Sequence, residues 1–265
     1  MTTSVPVNRN ERAILRALTR RIHAGFVSSI NLVSADAVRA ENPEVKAALG
    51  NVVEFLEQHA EVHRILAFPD GSGHVDAAEC IHKLGLAVSR SLKPMGIRLT
   101  LAADTLPLES QRCWRLALAI HELVTNAARN AYFDNRVGAI KIKLSLAKNA
   151  VNCVVADNGS RSRRLKPALG LQMVTDLVKG LDGRIDYAFG TQFSSCLLVF
   201  PLTAQERRAN RAVATRRARS LLKCKAMPPQ WPLAAPARSA RAQNSPEAVR
   251  AAAAPLRSQM KRVAG

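Results

Sequence analysis

Ile120-His121-Glu122-Leu123-Val124-Thr125-Asn126-Ala127-Ala128-Arg129-Asn130-Ala131 places a carboxylate, two carboxamides and a cation at helical spacing. Glu122, Asn126 and Asn130 recur every fourth residue and so share one helix face. Leu116, Ile120, Leu123, Val124 and Ala127 form the apolar stripe that a core requires. The polar face suits a nucleotide: Asn126 would offer an oxygen to Mg²⁺, Glu122 would order a water, and Arg129 would reach a phosphate. E-x-x-x-N spacing also occurs on ordinary surface helices, so the rest of the chain must decide.

Three blocks follow in order: Val154-Val155-Ala156-Asp157-Asn158-Gly159, Ala168-Leu169-Gly170-Leu171-Gln172-Met173-Val174, and Phe189-Gly190-Thr191-Gln192-Phe193. With the first stretch they resemble the N, G1, G2 and final Gly-Thr boxes of the histidine-kinase-type ATPase domain, the Bergerat or GHKL fold. The resemblance implies ATP and Mg²⁺ as ligands. It assigns Glu122 a catalytic role and Asn126 the metal, with Asn126, Arg129, Asn130, Asp157, Gly159, Gly170, Leu171, Gly190 and Thr191 holding the nucleotide. In that family the aspartate matched by Asp157 accepts a hydrogen bond from the adenine amino group, and the glycine matched by Gly159 lets backbone approach the base. Arg161 and Ala168 stand where the family has glycines, and the lid from Gly159 to Gly170 is short and rich in Arg161, Arg163, Arg164 and Lys166.

Residue patterns around these blocks predict an α/β sandwich. His74 to Pro94 reads as a helix leading to a strand at Gly96 to Leu101, and the Glu122 helix begins near Glu109. Ile140, Ile142, Leu144 and Leu146 alternate with Lys141, Lys143 and Ser145, as in a strand with one buried face. A turn at Lys148-Asn149 returns the chain through Val151 to Ala156 and delivers Asp157 to a strand end. Gly170 opens a helix whose N-terminus suits a phosphate. Asp182-Gly183 then turns into two closing strands that end near Pro201.

Ahead of the sandwich, Ile14, Leu15, Leu18, Ile22, Phe26, Ile30 and Val33 recur at helical spacing. A break at Asn42-Pro43 starts a second helix with Val45, Leu49, Val52, Val53, Leu56, Ala60, Val62, Ile65 and Leu66, closed by the turn residues Phe68 to Gly73. Two such helices cannot hide their stripes alone, which predicts a dimeric four-helix bundle. Arg21-Ile22-His23-Ala24-Gly25-Phe26-Val27-Ser28-Ser29-Ile30-Asn31-Leu32 resembles in position the phosphoacceptor helix of the kinase group with the text H-H-R-V-K-N-N-L-Q, and so implies phosphorylation of His23. His59 and His63 lie one turn apart without a third ligand, and His121-Glu122 lacks the second histidine of a zinc protease, so neither predicts a metal.

Composition sets the outer limits. The chain has 265 residues, 48% of them hydrophobic, with a net charge of +19. No apolar run is long enough to cross a bilayer and the start lacks a signal-peptide core, so the expected location is cytoplasmic. Five cysteines without C-x-x-C spacing read as reduced thiols. An aromatic content of 4% argues against a base-stacking platform. From Thr203 onward the chain is rich in Arg, Lys, Ala and Pro, with Glu206 and Glu247 as its acids. Such a stretch reads as disordered, with a short helix near Ala204 to Lys223. It would serve as a solubilising extension or hold an anionic partner, nucleic acid or membrane, by counterion release.

The expected fold class is therefore α+β, a helical hairpin and then an α/β sandwich. Expected domains are a dimerisation and phosphoacceptor hairpin over 1–72, an ATP-binding domain over 73–202 and a basic tail over 203–265. The function implied is that of a two-component histidine protein kinase that phosphorylates His23 and passes the group to a response regulator. Two alternatives stay open: a phosphotransfer or scaffold protein of the same fold without ATP turnover, and a basic adaptor working through its tail.

Overall fold

The computed structural model describes residues 9–71, 73–130, 137–160 and 169–226, and within them not the side chains of Arg9, Asn130, Leu169 and 220–226. Helices α1 (Arg9–Arg39) and α2 (Pro43–Ile65) form the hairpin. Asn42 caps α2 by accepting the Glu44 N–H at 2.8 Å, and Pro43 occupies the first turn, where its missing N–H costs nothing.

The hairpin leaves much of its apolar stripe uncovered. Ile14 is 58% exposed, Leu18 52%, Ile22 47% and Phe55 56%. Only toward its end does α2 turn inward, with Ala60 and Val62 buried. There Trp114 Nε1 donates to Leu66 O at 2.9 Å, Phe68 meets the Trp114 ring edge-on at 4.9 Å, and Arg16 donates to the Asp70 carbonyl at 2.9 Å.

A short ladder joins the hairpin to the sandwich. β1 (His74–Asp76) pairs antiparallel with β3 (Pro107–Glu109), and each strand runs straight into a helix, α3 (Ala77–Leu92) and α4 (Ser110–Asn130). The helix expected from His74 thus starts three residues later. His74, Val75 and Asp76 are held by the ladder, and Asp76 Oδ1 caps α3 at Ala78 N (3.0 Å) while accepting from Leu106 N (2.9 Å).

The main sheet has the order β2-β4-β5-β7-β6. Its strands are β2 (Ile97–Ala103), β4 (Gly138–Ala147), β5 (Ala150–Asp157), β6 (Arg184–Phe189) and β7 (Ser194–Pro201), with β2 parallel to β4 and the other pairs antiparallel. One face carries Ile140, Ile142, Leu144, Val151, Cys153, Val155, Cys196, Leu198 and Phe200 into a single core with α3, α4 and α5 (Leu169–Lys179). Strand alternation therefore does what the sequence predicts, except at Leu146. That residue is 41% exposed, because β2 ends opposite Leu144 and leaves its flank open. A hairpin followed by an α/β sandwich is the architecture found.

The helix expected near Ala204 to Lys223 is present as α6 (Ala204–Ala226), and its first turns are packed. Glu206 is fully buried and accepts from Glu109 N (3.0 Å), Arg112 Nε (3.1 Å) and Thr203 N (2.8 Å). Asn210 donates to Pro107 O at 2.8 Å. Residues 227–265, which hold the rest of the expected tail, lie outside those described.

Candidate functional site

Asp157 ends β5, the middle strand of the sheet, opposite Ile140 on β4 and Ser194 on β7. Its side chain is buried on the helix-facing side, and one carboxylate oxygen accepts the Gly159 N–H at 3.1 Å. Asn158 fastens this strand end to β4. It donates to Val137 O (3.1 Å), accepts from Ala139 N (2.7 Å), and its own N–H bonds Ala139 O (3.1 Å). A turn of the Asp-Asn-Gly type thereby becomes a fixed platform that presents a buried carboxylate.

The N-terminus of α5 comes against the polar face of α4. A Cβ built on Gly170 would lie 3.2 Å from Glu122 Oε2, so the glycine leaves the carboxylate its room. Tyr187 on β6 sets the pitch of α5: its hydroxyl donates to Leu171 O at 3.3 Å and lies 3.4 Å from Thr175 Oγ1. Burial raises the Tyr187 pKa, which keeps the hydroxyl a donor. At the far end of β6, Gly190 closes a tight turn by donating to Phe193 O at 3.0 Å, and a Cβ there would collide with that same oxygen. Thr191 is exposed in this turn.

Ser194 is buried beside Asp157, and its hydroxyl has no hydrogen-bond partner among the described residues. A buried hydroxyl without a partner costs about 1–3 kcal/mol, so its place at the site edge calls for a bound group or water. The sequence shows Ser194 only as one more alternating residue. Its significance comes from the β5–β7 register, which sets it opposite Asp157.

His121 precedes Glu122 but turns toward the core, in a pocket with Ile81, Leu84 and Val88. Burial, reinforced by His63, His59 and Arg129, pushes its pKa down to about 4. The imidazole is thus neutral at pH 7, and its 4.0 Å approach to Glu122 is no ion pair.

The structure brings some of the expected site residues together and not others. Glu122, Asp157, Gly159, Gly170 and Leu171 come from α4, the β5 end and the α5 start, and Glu122 and Gly170 are in direct register across the two helices. Asn126 is half-buried on α4 and Arg129 exposed one turn on. Asn130 is placed in α4 without a described side chain, and the lid residues Arg161, Arg163, Arg164, Lys166 and Ala168 lie outside the described residues. His23 is exposed on α1, which packs along α2 and has no extended contact with α4 among the described residues.

Residues 87–179, spanning α3 to α5, match the model of the histidine kinase-like ATPase domain. The likeness of this segment is to the ATPase domain of histidine kinases. The sensor histidine kinase PdtaS of Mycobacterium tuberculosis is 29% identical over 194 residues, covering 68% of this chain and 38% of that protein, with the same figures in strains CDC 1551 and H37Rv. The chain thus spans well under half the length of these relatives. The histidine kinase domain of the Erythrobacter litoralis EL346 blue-light activated histidine kinase superposes with a TM-score of 0.51 at 17% identity, over 68% of this chain and 98% of that domain. That likeness is one of fold.

Proposed function

We propose that this chain is a histidine protein kinase that binds ATP at the ATPase domain, phosphorylates His23 and passes the phosphoryl group to the receiver domain of a response regulator. The observation that carries the reading is the juxtaposition of Glu122 and Gly170, so close that a Cβ on the glycine would lie 3.2 Å from Glu122 Oε2, which sets the polar face of α4 against the α5 N-terminus. The buried Asp157 carboxylate and the unpartnered Ser194 hydroxyl beside it fit a base that offers donor and acceptor edges. Gly170 opens the α5 start, where backbone N–H groups favour phosphate.

In this reading Asp157 and Ser194 orient the base, and Asn126 and Arg129 hold the triphosphate. Mg²⁺, which Asn126 would hold, would supply charge neutralisation at the triphosphate. A nitrogen of His23 attacks the γ-phosphorus as the bond to ADP breaks, and Glu122, or a water it holds, takes the imidazole proton. Most of the rate comes from position and electrostatics.

His23 lies on a hairpin whose exposed Ile14, Leu18, Ile22 and Phe55 suit a second copy of the chain, so the acting unit is a homodimer built on a four-helix bundle. Among the described residues no helix is long and apolar enough to cross a membrane. A cytoplasmic site of action follows from the supply of ATP and of the regulator. The domains proposed are the hairpin over 1–72, the ATP-binding unit from 73 and the basic C-terminal segment, whose cations offer a contact for an anionic partner.

Incubation with Mg²⁺ and γ-labelled ATP tests the proposal. Acid-labile label is expected on the parent chain, none on His23→Ala or Asn126→Ala. Arg161 and Ala168, where the family has glycines, favour a second reading in which the fold transfers phosphoryl groups or scaffolds a regulator without ATP turnover. Absence of label from a folded parent dimer selects that reading.

A further inference from the structure

Cys80 and Cys113 occupy equivalent places in the two helices that leave the β1–β3 ladder. Each is the fourth residue of its helix, Cys80 in α3 and Cys113 in α4, and each helix follows directly from a strand of the ladder. The two thiols are near enough to shift one another's pKa. Both line a cavity of about 400 Å³ at the joint between α2, α3 and α4, shared with Arg64, Lys83 and Trp114. Cys80 is half-buried and reaches this opening, whereas Cys113 is buried behind it.

The surroundings differentiate the two sulfurs. The neighbouring Cys113, with help from the Lys83 cation, holds the Cys80 thiol below its ordinary range against the opposing effect of burial. The same pairing and burial push Cys113 the other way. A thiol that reaches an opening, its pKa lowered, with a second thiol in the same cavity wall, is the arrangement of an attacking and a resolving cysteine. Cys153 and Cys196, by contrast, are buried in the sheet core.

We propose that the Cys80–Cys113 pair is an oxidation site for peroxides, converting to a disulfide that staples the first turn of α3 to the first turn of α4. The Cys80 thiolate attacks one peroxide oxygen: the S–O bond forms, the O–O bond breaks, and hydroxide or alkoxide leaves and takes up a proton. The Cys113 sulfur then attacks the Cys80 sulfur, the S–S bond forms, and water leaves with the Cys113 proton. Two thiols are oxidised by two electrons in all, and one peroxide is reduced to water and water or alcohol. The staple fixes the start of α4 next to Trp114, which bonds the end of the hairpin at Leu66 O. None of the proposed nucleotide residues takes part.

The test uses the full reduced chain treated with hydrogen peroxide and mapped by non-reducing peptide mass spectrometry. Expected is a Cys80–Cys113 cross-linked peptide that a dithiol reductant reverses, and alkylation of Cys80 in the reduced chain at least about tenfold faster than of Cys153 or Cys196. Cys113→Ser should stop the reaction at a Cys80 sulfenic acid captured by a dione probe, with Cys113→Ala as the variant of use if the serine prevents folding. Cys80→Ser should leave Cys113 unoxidised. Sulfenic acid persisting on Cys80 in the parent chain, or oxidation of Cys153 or Cys196 ahead of Cys80, overturns the proposal.

Discussion

Replacing Glu206 by alanine should destabilise the sandwich far more than any other change in the basic C-terminal segment. The carboxylate is fully buried and serves three groups, accepting from Glu109 N, Arg112 Nε and Thr203 N, while Thr203 Oγ1 in return accepts from the Glu206 backbone N–H at 3.2 Å. Arg112, itself buried, spends its other donors on Leu181 O (3.3 Å) and Pro201 O (2.6 Å), so its charge has no second carboxylate. Removing one partner of a buried pair costs about 3–5 kcal/mol, which is of the order of a domain's whole margin. With a urea m-value of about 2 kcal/mol/M, the unfolding midpoint should fall by about 1.5–2.5 M, read by circular dichroism. Glu206→Gln keeps one acceptor but loses the charge, and should lie between alanine and the parent. Arg112→Met combined with Glu206→Leu should recover part of the loss, because no charge is then buried alone, though the Glu109 and Thr203 amides remain unpaired. A Glu206→Ala midpoint within about 0.5 M of the parent, or a double variant weaker than the sum of the singles, would refute the strut.

The other expectations are smaller or more local. Gly170→Ala should leave the melting temperature unchanged or slightly higher while weakening ATP binding about tenfold or more by titration, since its Cβ would press on Glu122 Oε2 at 3.2 Å; unchanged ATP affinity would separate Glu122 from the nucleotide. Ser194→Ala should stabilise the ligand-free chain by about 1 kcal/mol, because it removes a buried hydroxyl without a partner, and should weaken nucleotide binding by a similar amount. His121 titrates at about 4 in the fold against 6.5 unfolded, a lowered value. Its contribution is therefore complete above about pH 7 and is lost as pH falls from 6.5 toward 4, reaching about 2 kcal/mol at about pH 5. Chemical denaturation across that range should show the slope in the parent and a flatter curve in His121→Leu.

The hairpin and the sandwich were largely legible because their signals are local. Asn42-Pro43 reads as a helix start and becomes one, with Asn42 as the cap. The alternation at Ile140, Ile142 and Leu144 gives a buried strand face for the same reason. The short β1–β3 ladder was not legible: three residues are too few for a periodic pattern, and the pairing spans the whole of α3. The helix near Ala204 was legible, and Thr203-x-x-Glu206 forms a capping box at its start, but the burial of Glu206 against Glu109 and Arg112 was not, because those partners lie more than 90 residues away. Ser194 required the strand register, since nothing in Phe193-Ser194-Ser195 distinguishes one serine from the other.

What sequence spacing cannot show is that α4 is the common member of every assembly in this unit. Arg112 in its first turn receives the buried carboxylate of α6 from 94 residues away. Cys113 meets Cys80 of α3, and Trp114 reaches the last turn of the hairpin. Three consecutive residues thus bind α4 to three different elements, and two to four turns further on the same helix presents Glu122, Asn126 and Arg129. A packed helix transmits displacement along its axis because its interior contacts do not compress. Any partner that moves the hairpin, draws on the cations of α6 or oxidises the thiol pair therefore acts on the one element whose polar face meets Gly170. Of these three attachments, only Trp114 leads to the hairpin that carries His23, so weakening its bond to Leu66 O should loosen the hairpin from the ATPase domain without altering the nucleotide face itself.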